Sequence, residues 1–203
     1  MTIASATLAI DCSFAGLSLA LQTDAGVTHF TTQAPRSSDI LPTELQRLMQ
    51  QENVAVSDLT TILVAIGPGS FTGIRLGLAT AEAFKLLNPS IQIIGLSTLH
   101  ALATHICADY HPQTDFTVLL DAAGGQAYTQ IFNPNGEPQT TAECIPVPPT
   151  EGTLFAQASL MHATATPIAT LDARHMLSLA ENRTAHLPPQ PVYIKPLTYK
   201  KVQ

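Results

Sequence analysis

Charge is scarce in this chain: of 203 residues only 12% are Asp, Glu, Lys or Arg, about half the usual share. The 9 basic residues against 15 acidic ones leave a formal net charge of −6, and no Lys or Arg stands between Lys85 and Arg174. No continuous basic field therefore exists to hold a phosphate backbone, which argues against autonomous nucleic-acid binding. Cysteine is equally sparse. Cys12, Cys107 and Cys144 are odd in number and include no C-x-x-C pair, so they read as small buried hydrophobes in a reducing compartment. Met1 to Ala6 has neither the basic nor the long apolar region of a signal peptide. No run reaches the ~18 apolar residues that span a bilayer, and the expectation is a soluble, cytoplasmic chain with no membrane partner. Metal motifs are missing too. His100 and His105 are separated by about 140° on a helix. His29, His111, His162, His175 and His186 are scattered, with no H-E-x-x-H among them, so no metal site is expected. A G-x-S-x-G elbow is also absent.

What the chain does have is apolar residues, 45% of the total, arranged in a readable order. Thr7 to Ile10, Leu17 to Leu21 and Val27 to Thr32 read as three hairpin-linked strands. Asp39 to Gln51 changes to a helical period, with Asp39 as N-cap and Pro42 in the first turn, where proline is tolerated. A strand over Thr61 to Ile66, a helix over Ile74 to Leu87, a strand over Ile91 to Leu96, a helix over Leu99 to Tyr110 and a strand over Phe116 to Asp121 follow. This is the order of an α/β layer fold with a mixed sheet. The segment Leu8 to Gly26 aligns without gaps on Val118 to Gly136, pairing Asp11 with Asp121, and suggests two related lobes, 1–110 and a reduced 111–203. The remainder is expected to hold strands near Gln126 to Phe132 and Thr140 to Val147, and a helix within Glu151 to Met161. A strand near Pro167 to Thr170, a helix from Asp172 to Asn182 capped by Asp172, and an extended Pro188 to Pro196 complete it.

The stretch from Ala65 to Arg75 (AIGPGSFTGIR) carries three glycines between a strand and a helix. Such a turn either brings free N–H groups to an anion or simply reverses the chain tightly. It is not a Walker A loop, since Ile74 and Arg75 follow Gly73, nor a dinucleotide fingerprint, since Thr72 stands where the third Gly belongs. Gly67, Gly69, Ser70 and Gly73 are the candidate phosphate contacts, together with Asp11. As strand-end acids, Asp11 and Asp121 could also share Mg²⁺ and a nucleotide phosphate. The helix beyond the turn is apolar nearly all round, with Arg75, Glu82 and Lys85 confined to one stripe. One sheet cannot cover it, so its outer face lies under another element or at a subunit interface. Ile74, Leu78 and Ala81, with Leu41, Leu45 and Leu48 of the preceding helix, are the candidate interface residues.

The run Gly67 to Ala79 (GPGSFTGIRLGLA), the opening Leu8 to Ser13 (LAIDCS), Ile94 to Leu99 (IGLSTL) and the ending Pro191 to Pro196 (PVYIKP) resemble the TsaB (YeaZ) family of bacterial tRNA threonylcarbamoyladenosine biosynthesis proteins. The resemblance implies an actin-like, Hsp70-like ATPase fold of two RNase H-like lobes. It also implies a non-catalytic subunit of the complex that places threonylcarbamoyl on N6 of adenosine 37 in tRNA. The implied partners are a TsaD-type paralogue that carries the catalysis, a TsaE-type ATPase, and a second copy of the chain when alone; tRNA is met only through the complex. No cofactor is expected to be bound tightly, with ATP or ADP a candidate at the complex interface. TsaD-type proteins carry an H-x-x-x-H metal pair, whose places are taken here by Thr98 and Leu102, which cannot ligate a hard metal ion. The second-lobe D-A-R-M-G-E-V-Y of the family is Asp121 to Tyr128, DAAGGQAY, in this chain, without the Arg and the Glu. The alternative reading is a stand-alone Mg-dependent ATPase or small-molecule kinase working through Asp11 and Asp121.

Overall fold

A computed structural model describes residues 5–34, 36–146 and 148–195. The strands β1 (Ala6–Asp11), β2 (Leu17–Thr23) and β3 (Gly26–Thr32) form the expected antiparallel meander. Next to β1 lie β4 (Leu59–Ala65) and β5 (Gln92–Leu96), both parallel, giving the order β3-β2-β1-β4-β5. Ile62 to Ala65 are buried without alternation, as a central parallel strand covered on both faces requires. On one face, α1 (Ser37–Gln51) and α2 (Phe71–Leu87) enclose Leu8, Ile10, Leu19 and Val64. On the other, α3 (Thr98–Tyr110) packs with Ala9, Ala20 and Leu63 and continues into the second lobe through Phe116, Phe132 and Phe155.

That lobe repeats the first. Its strands β6 (Phe116–Asp121), β7 (Ala127–Phe132), β8 (Glu143–Ile145), β9 (Thr153–Gln157) and β10 (Thr166–Ile168) stand in the order β8-β7-β6-β9-β10, with the same pattern of parallel and antiparallel neighbours. β6 starts 110 residues after β1 (116 − 6) and β7 110 after β2 (127 − 17), so the sequence repeat is a structural equivalence. The second lobe is reduced because, among the described residues, no α-helix joins β8 to β9 or β9 to β10. These are two RNase H-like lobes, as expected.

Several boundaries differ from expectation. The helix expected within Glu151 to Met161 is β9 followed by a 3₁₀ turn, Ala158–Leu160. A short apolar run suits either state, and the parallel slot beside β6 takes it. The Asp172 to Asn182 helix shrinks to α4 (Arg174–Leu177), although Asp172 does accept the Arg174 amide at 2.9 Å. α1 begins two residues early, with Arg36 in the left-handed region (φ 69) as its cap. Asp39 therefore lies in the first turn, and Pro42 stands inside the helix. Val147 and Pro196, which ended an expected strand and an expected extended segment, lie outside the described residues.

The C-terminal segment returns over the first lobe. Leu187 and Gly95 exchange backbone hydrogen bonds of 2.9 Å, closing the free edge of β5, and the Val192 amide donates to Ile66 O at 2.9 Å. Lys195 Nζ then reaches the second lobe, donating to Ala122 O at 2.9 Å. Among the described residues no helix is long and apolar enough to cross a membrane.

Candidate functional site

The glycine turn between β4 and α2 engages its own chain. A Cβ on Gly73 would overlap the Cys12 carbonyl oxygen, one on Gly69 (φ +153) the Ser13 carbonyl oxygen, and one on Gly67 (φ +111) would come within 2.8 Å of Val192 O. Ser70 donates its amide to Ser13 O at 2.7 Å, and its Oγ caps α2 by accepting the Gly73 amide at 3.1 Å. Of the four loop residues expected to touch phosphate, Gly69, Ser70 and Gly73 are thus occupied in seating α2 against the β1–β2 turn, and Gly67 packs against the C-terminal segment at Val192.

Asp11 is 2% exposed. Its Oδ1 accepts the Ser13 amide at 2.8 Å and the Ser13 hydroxyl at 2.6 Å. With that hydroxyl hydrogen committed, the 2.7 Å contact between Ser13 Oγ and Thr98 Oγ1 is donated by Thr98. Burial pushes the Asp11 carboxyl above its ordinary value, and the Ser13 and Phe14 hydrogen bonds only partly offset that. Asp121 is its opposite: exposed, with Oδ1 accepting the Ala123 amide at 2.7 Å. An interlobe cleft of about 300 Å³ brings Asp121 together with Ser13, Gly69, Ser70, Tyr128 and Gln157. Among the described residues no Lys or Arg lines it, and Lys195 donates to the carbonyls of Ala122 and Ala123 on its wall. A magnesium-bound triphosphate needs accessible carboxylates and cations, so these residues do not fit one.

The raised Asp11 value has a testable sign. The native state binds this proton more tightly than the unfolded chain, whose carboxyl titrates near ~3.9. The resulting stability is fully present below that pH and is lost as the pH rises towards the folded value. Measured by urea unfolding between pH 4 and 8, Asp11→Asn should gain on the wild type as the pH rises from about 4. Parallel curves for the two proteins would show that Asp11 is not the buried acid described here.

An apolar groove of about 790 Å³ lies elsewhere, between α1 and α2. Pro42, Leu45 and Met49 form one wall, and Leu76, Ala83 and Phe84 the other. This corrects the expected interface residues. Leu41, Leu48, Ile74 and Ala81 are at most 1% exposed, Leu45 and Leu78 under 9%, and all six belong to the lobe core. Only Leu41 and Leu45 also reach the groove. Gly73 and Gly77 let the α2 backbone lie close to β1 and β4, which turns Ile74, Leu78 and Ala81 inward and leaves Leu76, Ala79, Ala83 and Phe84 on the outside. An all-round apolar helix gives no sequence signal of which side meets the sheet. The groove is walled entirely by residues of the first lobe.

Thr98 and Leu102, which stand in the places of the paralogue's histidine pair, are both buried, Thr98 in the Ser13 hydroxyl network and Leu102 in the core. One cluster escaped the sequence: His105 and Asp109 of α3 meet His175 of α4. No spacing could reveal it, because packing of α3 on α4 makes it.

Comparison with known proteins agrees with this geometry. The family model for "TsaD: tRNA N6-adenosine threonylcarbamoyltransferase" matches residues 26–177. The chain is 32% identical over 130 residues to the tRNA threonylcarbamoyladenosine biosynthesis protein TsaB of Bacillus subtilis, covering 62% of this chain and 54% of that protein. It is 31% identical over 123 residues to TsaB of Escherichia coli, covering 60% and 52%. The match thus spans about half the length of these curated relatives. The solved structure of a Pseudomonas aeruginosa protein with similarity to YeaZ superposes with a TM-score of 0.79 at 20% identity, covering 94% of this chain and all of that one, and shows the shared fold. The chain belongs to the family described as TsaD: tRNA N6-adenosine threonylcarbamoyltransferase.

Proposed function

We propose that this chain is the non-catalytic subunit of a tRNA N6-threonylcarbamoyladenosine-forming assembly and that it docks a TsaD-type paralogue through the α1–α2 groove. The observation that carries the reading is the open apolar groove itself, walled only by first-lobe residues. A groove of this size exposed to water costs free energy that a second apolar surface recovers. A TsaD-type chain suits as the occupant because this chain itself matches the family model named for that transferase, so such a partner would carry a related lobe. A partner built on the same lobe presents matching helices, so the pair can close about an approximate twofold axis. A catalytic role for this chain itself is disfavoured by Asp11, buried and hydrogen-bonded, and by Thr98 and Leu102 in the ligand positions. With a net charge of −6, tRNA is reached through the partner. A TsaE-type ATPase joins the pair, and any ATP or ADP sits at an interface of the assembly. Alone, the chain covers the same groove by weaker self-association.

The test is the mass in solution of this chain mixed with its TsaD-type paralogue. A one-to-one heterodimer that forms at micromolar concentration and displaces the self-associated form is expected. Two non-interacting species would overturn the reading.

A further inference from the structure

Two backbone N–H groups just before α4 are among the ties between the second lobe and the first. Ala173 N donates to Ser18 Oγ of β2 at 2.8 Å, and Asp172 N donates to Nδ1 of His105, 7% exposed on α3, at 3.1 Å. An Nδ1 that accepts carries no proton, so the neutral ring holds its proton on Nε2. That nitrogen lies 3.5 Å from Asp109 Oδ2, while Asp109 Oδ1 lies 3.5 Å from His175 Nε2, and the two rings are 4.8 Å apart. Three possible ligands, two imidazoles and a carboxylate, at such separations resemble a metal triangle. Ligation through Nε2, however, moves the His105 proton to Nδ1, where the Asp172 amide already points. A metal-bound histidine needs an acceptor at its other nitrogen, and here it meets a donor.

The same conflict arises on protonation. We propose that His105 is a proton-operated clamp between the lobes: as the neutral imidazole it accepts the Asp172 amide, and as the imidazolium it sets a second donor against that amide and releases the segment 172–177 from α3. The charged groups facing it are Asp109 on its own helix and Asp172, Arg174 and His175 on the released segment, with His29 of β3 acting on Asp172. Burial and the neighbouring His175 hold His105 below the ordinary histidine value, outweighing the pull of Asp109 and Asp172. Because the folded value lies below the unfolded one, near ~6.5, the clamp contributes in full above that pH and is lost as the pH falls through the folded value.

Amide hydrogen exchange between pH 7.5 and 5, corrected for the intrinsic pH dependence of exchange, separates the two histidines. In the wild type, protection of Asp172 to Leu177 should fall about tenfold over that range, the equivalent of one hydrogen bond, while β1 stays unchanged. In His105→Asn the amide oxygen stands in for Nδ1 and does not titrate, so protection should hold throughout; in His175→Asn the wild-type loss should persist. A pH-independent wild type, or a His105→Asn profile identical to it, would overturn the proposal. So would stabilisation by Zn²⁺ that disappears in His175→Ala, since the ion requires a bare Nε2. Nitrogen-15 chemical shifts of the His105 ring in the wild type give a check that needs no variant. A proton on Nε2 at pH 7.5 is expected, and one on Nδ1 would refute the clamp.

Discussion

Gly73→Ala should lower the unfolding free energy by about 3 kcal/mol, at the upper end of what added core volume costs. Gly73 is the third residue of α2, and its amide is the one that the Ser70 hydroxyl caps. A Cβ there would overlap the Cys12 carbonyl oxygen and lie 2.7 Å from the carbonyl carbon. Both are backbone atoms of the β1–β2 turn, so no side chain can swing aside. Either the helix lifts off the sheet, or the turn that carries Asp11 and Ser13 moves. Gly124→Ala provides the comparison. Its φ of +68 is left-handed, unlike that of the helical Gly73, but nothing lies within 4 Å of the added carbon, so only the conformational cost of about 1 kcal/mol applies. Urea unfolding of the two variants at one pH distinguishes the cases. Equal losses would show that α2 is not seated on the turn. Because α2 also forms one wall of the groove, Gly73→Ala should weaken partner binding along with its loss of stability.

How much of this was legible depended on whether a feature is local. The strand over Phe116 to Asp121 is where the sequence places it, because a β-branched and apolar run ending in Asp and small residues has few other uses. The repeat was visible because both lobes keep the same strand-turn-strand spacing, although the pairing slips by one residue: Asp11 faces Ser18, whereas Asp121 faces Ala127, the counterpart of Leu17. The Thr153 to Gln157 strand was missed for the complementary reason. Five residues with an apolar centre carry no period, and only the open edge of β6 decides their state. The same limit applied to the sites. Asp11 could be found as a strand-end acid, but whether it faces solvent or the core depends on Ser13 and Thr98, the latter 85 residues beyond Ser13. The inward turn of Ile74, Leu78 and Ala81 depends on contacts of Gly73 and Gly77 with β1, β4 and the turn after β1, which a helical wheel does not contain.

The groove supplies the prediction with the largest functional effect. Ala83→Asp should weaken the heterodimer with the TsaD-type partner by about 100-fold, some 2.7 kcal/mol, because a carboxylate would be desolvated in an apolar contact without a cation to pair with it. Ala83 suits the test because it is exposed on α2, lines the groove, and lies one turn from both Ala79 and Leu87 on the same wall. The fold should lose only the difference in helix propensity, about 0.6 kcal/mol, so a lost complex would not be a lost protein. Leu78→Asp would not serve, since Leu78 is 8% exposed in the lobe core and its charge would unfold the chain before any partner was met. Glu82→Gln is the matched control: it alters charge on the next residue, exposed and outside the groove, and should leave affinity within about twofold. Calorimetric titration of the three proteins into the partner, with thermal unfolding run alongside, gives the answer. If Ala83→Asp binds as tightly as the wild type, the partner docks on another face, and the apolar wall from Leu76 to Leu87 loses its functional explanation.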